Sequence, residues 1–251
     1  MPVLVKSILL LILTALFLQA KTITIAVAAN VSYAIEELKT EFHQLHPDIK
    51  VRVILGSSGK LTAQIKNGAP YGLFMSANMK YPQALYKEKM AITKPVVYTQ
   101  GALAYLSIKK RDFSQGISFL TDPDIKRIAI ANPKTAPYGI AAFEALKNAK
   151  LIEKLKPKFV YGESISQTVS YAVTAADIGL IAKSSLYSKR MLHFTEGINW
   201  ASVNPKLYTP IKQGIVLLKF SKNTPQYQAF YDFILSDTAK KIFKKYGYII
   251  S

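Results

Sequence analysis

Hydrophobic positions along the chain alternate between short continuous runs and stretches that recur every three or four residues. Thr22 to Val27 is a β-rich run that ends in Ala28-Ala29-Asn30. Val31, Ala34, Ile35, Leu38, Phe42 and Leu45 then recur at helical spacing until His46-Pro47 stops the helix. Val51 to Leu55 predicts a second strand. It is followed by Gly56-Ser57-Ser58-Gly59, by a helix carrying Leu61 and Ile65 that ends at Asn67-Gly68, and by a third strand from Leu73 to Met75. Downstream, Ala102 to Ile108 and Arg127 to Ala131 read as strands, and Pro137-Tyr138-Gly139 opens a helix through Leu146. Ser164 opens another through Ala175, Ile178 to Ala182 is a strand with a short helix after it, and Gly214 to Lys219 is a strand. Thr224-Pro225 pairs a capping hydroxyl with proline at the first helical position, and Tyr227, Phe230, Tyr231 and Ile234 line one face of that helix. A last helix runs from about Thr238 to Tyr246 and stops at Gly247. Strand, turn and helix in repeated alternation predict an α/β fold with mostly parallel sheets.

The N-terminus breaks this pattern. Lys6 precedes an apolar run from Ile8 to Leu18, interrupted only by Thr14. The run is short for a bilayer span and reads as a secretory signal peptide over residues 1–20, cleaved near Ala20, with an uncleaved membrane anchor as the alternative. The remainder suits one large domain or two lobes of about 100 residues each.

Several turns share a chemistry. Near Asn30, Ser58 and Tyr138, strand ends deliver short polar or glycine-containing turns into helix starts, and Ser164-Ile165 opens a further helix. In open α/β sheets, ligands bind beyond the carboxyl ends of strands. Helix N-termini carry unpaired N–H groups and partial positive charge, so they accept anions without an ionised side chain. Each turn alone is also what ordinary capping would produce.

Composition narrows the chemistry. The chain has no cysteine, hence no disulfide, thiolate metal site or cysteine nucleophile. Its formal charge is +18, but the lysines are dispersed in short clusters such as Lys109-Lys110-Arg111, which reads as a solvated surface and not as a nucleic-acid interface. Gly56-Ser57-Ser58-Gly59-Lys60 falls short of a phosphate-binding loop, because Ile54 stands where a glycine is required and Leu61 where a magnesium-binding hydroxyl is required. His43 and His46 lie three apart without a zinc-binding spacing around them, and His193 is alone. No pair of acidic residues flanks the anion-facing turns, where only Glu163 is acidic, so a catalytic reading has no constellation to stand on.

Taken together, the turns carry a resemblance. Ala28-Ala29-Asn30, Gly56-Ser57-Ser58-Gly59-Lys60-Leu61, Gln64 to Pro70 and Phe74-Met75-Ser76-Ala77-Asn78 occur in an order and spacing similar to the periplasmic molybdate-binding proteins. So do Asn132 to Gly139, Gly162 to Gln167 and the closing Phe243-Lys244-Lys245-Tyr246-Gly247. The resemblance spans essentially the whole chain after the signal. It implies a two-lobed periplasmic binding protein of the second topological type, with residues 21–98 and 200–251 in lobe I, 99–199 in lobe II and the ligand in the cleft. Each lobe would be a mostly parallel sheet flanked by helices.

The resemblance further implies an extracytoplasmic monomer that binds molybdate or tungstate and delivers it to the permease of an ABC transporter, with no cofactor, catalytic step or nucleic-acid partner. Asn30 and Ser58 would bind through side chain and backbone N–H, Tyr138 and Ile165 through backbone N–H. Any metal would be the molybdenum or tungsten of the anion itself, held by these same residues. An oxyanion without protons needs only donors, whereas phosphate keeps a proton near neutral pH and wants an acceptor. Where family members of the matching subgroup carry a hydroxyl before the asparagine, Ala29 stands, which leaves the set one side-chain donor short. Acidic residues of the family are replaced at Gly72 and Asn78, and a tyrosine contact is replaced at Ala182. Lys60 and Lys183 are candidates for the cleft mouth. The competing readings are a receptor for sulfate or another oxyanion, a ferric-iron receptor, an enzyme on the same scaffold and a regulator's effector domain. The iron receptor would want clustered tyrosines, and the regulator would need an N-terminal helix-turn-helix that the sequence does not have.

Overall fold

In the computed structural model, which describes residues 21–250, ten strands form two five-stranded sheets. The expected signal peptide and its cleavage site lie outside the described residues. The first sheet contains β1 (Lys21–Ala28), β2 (Ile49–Gly56), β3 (Leu73–Ser76), β4 (Val96–Gly101) and β10 (Ile211–Leu217), in the order β2-β1-β3-β10-β4. The second contains β5 (Leu103–Leu106), β6 (Ile128–Ala131), β7 (Phe159–Gly162), β8 (Ile178–Ala182) and β9 (Trp200–Ser202), in the order β7-β6-β8-β5-β9.

Each sheet is mixed. β1 pairs in parallel with β2 and β3, and β6 with β7 and β8, as expected for strands joined through helices. The strands that carry the chain between lobes enter antiparallel: β10 against β3 and β4, and β5 against β8 and β9. A single residue, Ala102, separates β4 from β5, and the return lies between Ser202 and Ile211. Both crossings fall a few residues beyond the boundaries at 99 and 200 read from the sequence. Trp200–Ser202 pairs within the second sheet.

β1 is buried on both faces, which is why it reads as a continuous apolar run. On one side, Ile23, Ile25 and Val27 share a core with α1 (Ile35–Leu45), α7 (Pro225–Leu235) and α8 (Asp237–Lys245), where Phe42 meets Phe230 edge to face at 4.9 Å. On the other, Ala26 joins Phe74 and Val216 beneath Leu61 and Ile65 of α2 (Ser58–Lys66). Lys80–Lys87 forms α3, and the second lobe is built around Ile128, Ile130, Leu180 and α4 (Pro137–Asn148), with the short α5 (Ile152–Leu155) after it and α6 (Ile165–Thr174) packed on the same sheet.

Two local readings change. The helix expected from Val31 is divided into a 3₁₀ turn over Ala29–Tyr33 and α1 proper, which starts after Ala34. The Thr224 hydroxyl makes no capping hydrogen bond, so proline at the first position carries that helix start without it. Gly247, at φ +73°, ends α8 as its position suggests. Gly72 has a packing reason: a Cβ there would fall into the ring of Tyr227, whose hydroxyl accepts the Thr24 N–H at 3.1 Å, so an acidic side chain has no room.

Candidate functional site

Four helix starts meet where the two sheets face each other. The 3₁₀ turn follows β1 and α2 follows β2 in the first lobe, while α4 follows β6 and α6 follows β7 in the second. All four lie at the carboxyl ends of parallel strands, the ligand-binding edge of such sheets. Between them is a small cavity, lined by Ala28, Ala29, Asn30, Gly56, Ser57, Ser58 and Ala77 on one side and by Ala136, Pro137, Tyr138 and Ile165 on the other. All four residues singled out in the sequence, Asn30, Ser58, Tyr138 and Ile165, are brought together here. Its free volume, about 10 Å³, is far below the roughly 300–1,000 Å³ of pockets for drug-sized ligands. It suits a small ion.

The walls are buried and uncharged. Asn30 and Ser58 are fully buried, and Tyr138, Ile165 and Ser57 are at most 5% exposed. No ionisable acid or base lines the cavity apart from the Tyr138 phenol, and burial pushes that hydroxyl well above its ordinary pKa, so it stays neutral. The N–H groups of Ser58, Tyr138 and Ile165 belong to first helical turns, which have no acceptor inside the helix. Among the described residues no other backbone or side-chain oxygen takes them. The Ser58 hydroxyl accepts the Ala77 N–H at 2.9 Å, which leaves its own hydrogen to donate. Two buried polar atoms of the wall have no partner within the protein: the Ser57 hydroxyl and Asn30 Oδ1.

The lobes touch around this cavity. Gly59 N–H donates to Thr135 O at 2.9 Å, Ser166 Oγ to Ala29 O at 2.8 Å, and Ser184 Oγ to Asn30 O at 3.2 Å. At the mouth, Lys60 Nζ on α2 reaches across to Glu163 at 2.8 Å, and that lysine lowers the carboxyl's pKa. Lys183 instead donates to Ser202 Oγ at 3.0 Å and lies over the Trp200 ring, turned onto β9. The histidines are elsewhere. His46 lies against Phe42 and His193 against Phe194, and no group of three or more metal-binding side chains occurs among the described residues.

Residues 23–249 match the family described as bacterial extracellular solute-binding protein. The chain belongs to that family. Among relatives of this solute-binding protein, the molybdate-binding protein ModA of Azotobacter vinelandii is 35% identical over 232 residues, covering 92% of this chain and 90% of the relative. ModA of Rhodobacter capsulatus is 36% identical over 227 residues, covering 89% and 86%. The solved structure of the Azotobacter vinelandii periplasmic molybdate-binding protein superimposes with a TM-score of 0.83 at 28% identity, covering 91% of this chain and 99% of that one.

Sequence reasoning overlooked two sets of residues. Ser57 stood in view beside Ser58 and only its free hydroxyl distinguishes it. Gln213, Tyr98 and Tyr248 gave no signal, because they reach Asn30, or in the case of Tyr98 its partner Gln213, from strands and a C-terminal segment far away in sequence. Asn30 Nδ2 donates to Gln213 Oε1 at 2.8 Å and to the Tyr248 hydroxyl at 3.0 Å, so in this arrangement its amide hydrogens point into the protein.

Proposed function

We propose that this protein captures molybdate, and with it tungstate, outside the cytoplasm and hands it to the permease of an ABC transporter, acting as a monomer and without a catalytic step. The observation that carries the reading is the cavity itself: small, buried and lined by donors from four helix starts, with no ionised group. A tetrahedral dianion without protons needs only such donors, and hydrogen bonds to an ionised acceptor are about twice as strong as neutral ones. Relatives named for molybdate point to the same ligand.

In this reading Ser58 donates through hydroxyl and N–H, Tyr138 and Ile165 donate through N–H, and Asn30 donates from its backbone and, once its amide is turned over, from its side chain. Ser57 supplies the side-chain donor that Ala29 lacks. The lobes, divided near residues 99 and 200 as read from the sequence and joined at the crossings a few residues beyond, would close on the anion. The signal-like N-terminus and the family's extracellular character favour export. A single chain supplies both walls, so nothing in the site calls for a second copy.

A thermal-shift screen tests this. A ligand that binds only the folded protein, at a thousandfold excess over its Kd, adds about 4 kcal/mol of stability. For a protein of this size that corresponds to a Tm rise on the order of 10 °C. Molybdate and tungstate should produce it at micromolar levels, while sulfate and phosphate should do little. Equal shifts from sulfate would replace the reading with a general oxyanion receptor.

A further inference from the structure

The side of Asn30 that faces away from the cavity is held by Gln213. This glutamine is fully buried on β10, at the point where the pairing of β10 with β4 slips by one residue. Such bulges re-aim side chains next to functional sites. Its Oε1 accepts from Asn30 Nδ2 at 2.8 Å and from the Tyr98 hydroxyl at 2.8 Å, and its Nε2 donates to the Tyr138 hydroxyl at 3.3 Å. Gly101 makes room for this group, since a Cβ there would collide with the Tyr138 hydroxyl and stand 2.7 Å from Gln213 Nε2. In this arrangement Asn30 Oδ1, an acceptor, is the unpartnered atom. An acceptor on the wall suits an anion that carries a proton and opposes one that carries none.

Both amides can turn over together without moving any heavy atom's position. Gln213 Nε2 then donates to Asn30 Oδ1 and to the Tyr98 oxygen, and Gln213 Oε1 accepts from Tyr138. The Tyr248 hydroxyl, which donates to Asn30 O at 2.8 Å, can turn to the Asn30 side-chain oxygen, because Ser184 Oγ still serves Asn30 O at 3.2 Å. Asn30 Nδ2 takes the place of Oδ1. Every other buried donor and acceptor of the cluster then keeps a partner, and the one group left over, Asn30 Nδ2, is a donor facing the cavity.

We propose that Gln213 is the positioning residue that decides which end of the Asn30 amide a ligand meets, and so whether the cavity prefers an oxyanion without a proton or one with it. The inference rests on the oxyanion reading above. Gln213→Glu removes the glutamine's donors, so the carboxylate accepts from Asn30 Nδ2 and fixes Oδ1 toward the cavity. Gln213→Met removes the coupling without adding charge.

The test is calorimetric titration of the full chain and both variants with molybdate and with inorganic phosphate at pH 8, where both ligands are dianions and added charge repels them alike. Molybdate affinity should fall at least a hundredfold in Gln213→Glu and about tenfold in Gln213→Met. Phosphate affinity should fall much less in Gln213→Glu, so that the preference for molybdate narrows by tenfold or more. In ¹⁵N spectra, the Asn30 side-chain NH₂ should shift on molybdate addition in the native protein and not in Gln213→Glu. If Gln213→Glu does not fold, Gln213→Met still decides: unchanged molybdate affinity there overturns the proposal. A parallel loss of both ligands at constant ratio in a folded Gln213→Glu overturns it as well. A native protein that binds neither anion would instead sink the oxyanion reading.

Discussion

The cavity and its mouth, a few residues apart, are built on opposite electrostatic plans. Inside, donors are neutral, buried and fixed by helix starts. At the mouth, the Lys60–Glu163 pair is ionised, and its side chains are 59% and 73% exposed. Beyond it lies a surface that gives the chain a net charge of +18. Solvent and salt screen the outer charges, whereas the inner dipoles act where screening is weak. On the proposed reading, recognition falls to the neutral interior, and the charged exterior has at most a part in attraction and closure.

The strongest way to break this division is to put a charge inside. Asn30→Asp keeps the side chain's shape but sets a carboxylate against a dianion. At about 4 Å and an effective dielectric near 20, each pair of unit charges costs about 4 kcal/mol, so calorimetry should detect no molybdate binding near neutral pH. Binding as tight as the parent's would make Asn30 a structural residue only.

The two serines sharpen the comparison further. Ser58→Ala should weaken molybdate binding by roughly 1–3 kcal/mol. It should also lower the Tm without ligand, because the buried Ala77 N–H loses its acceptor. Ser57→Ala should weaken binding by a similar or smaller amount, yet leave the ligand-free Tm level or higher, since that hydroxyl has no partner to lose. Paired calorimetry and thermal melts separate the two, and a Tm loss in Ser57→Ala would show that its hydroxyl serves the fold.

At the mouth, effects should be the smallest. Glu163→Gln removes an exposed partner and should barely change affinity at neutral pH. Lys60 holds the Glu163 pKa below its ordinary value, so any contribution of the pair to closure is complete above that ordinary value and disappears as pH falls through the lowered one. A titration of molybdate affinity between pH 6 and 8 should therefore show no step from this group.

Much of this arrangement was legible in the sequence because it is local. Runs such as Thr22 to Val27 and turns such as Ser57-Ser58-Gly59 announce strands and helix starts through neighbours only. β7 and β9 escaped because four and three residues are too few to show a period, and β4 and the helix over Lys80–Lys87 because polar residues and a proline interrupt their apolar positions. Antiparallel entry of β5 and β10 is a property of the crossings, which no window of residues displays. The cluster of Gln213, Tyr98, Tyr138 and Tyr248 around Asn30 joins positions up to 218 apart, a contact that only the folded chain makes.

The most direct test of the central claim is the salt dependence of molybdate affinity in the native protein, measured by calorimetry from about 10 to 150 mM ionic strength, over which the Debye length falls from about 30 to 8 Å. If neutral interior donors hold the anion, Kd should change only a few-fold across that range. A loss of affinity by a hundredfold or more would place recognition on the lysine-rich surface and contradict the account.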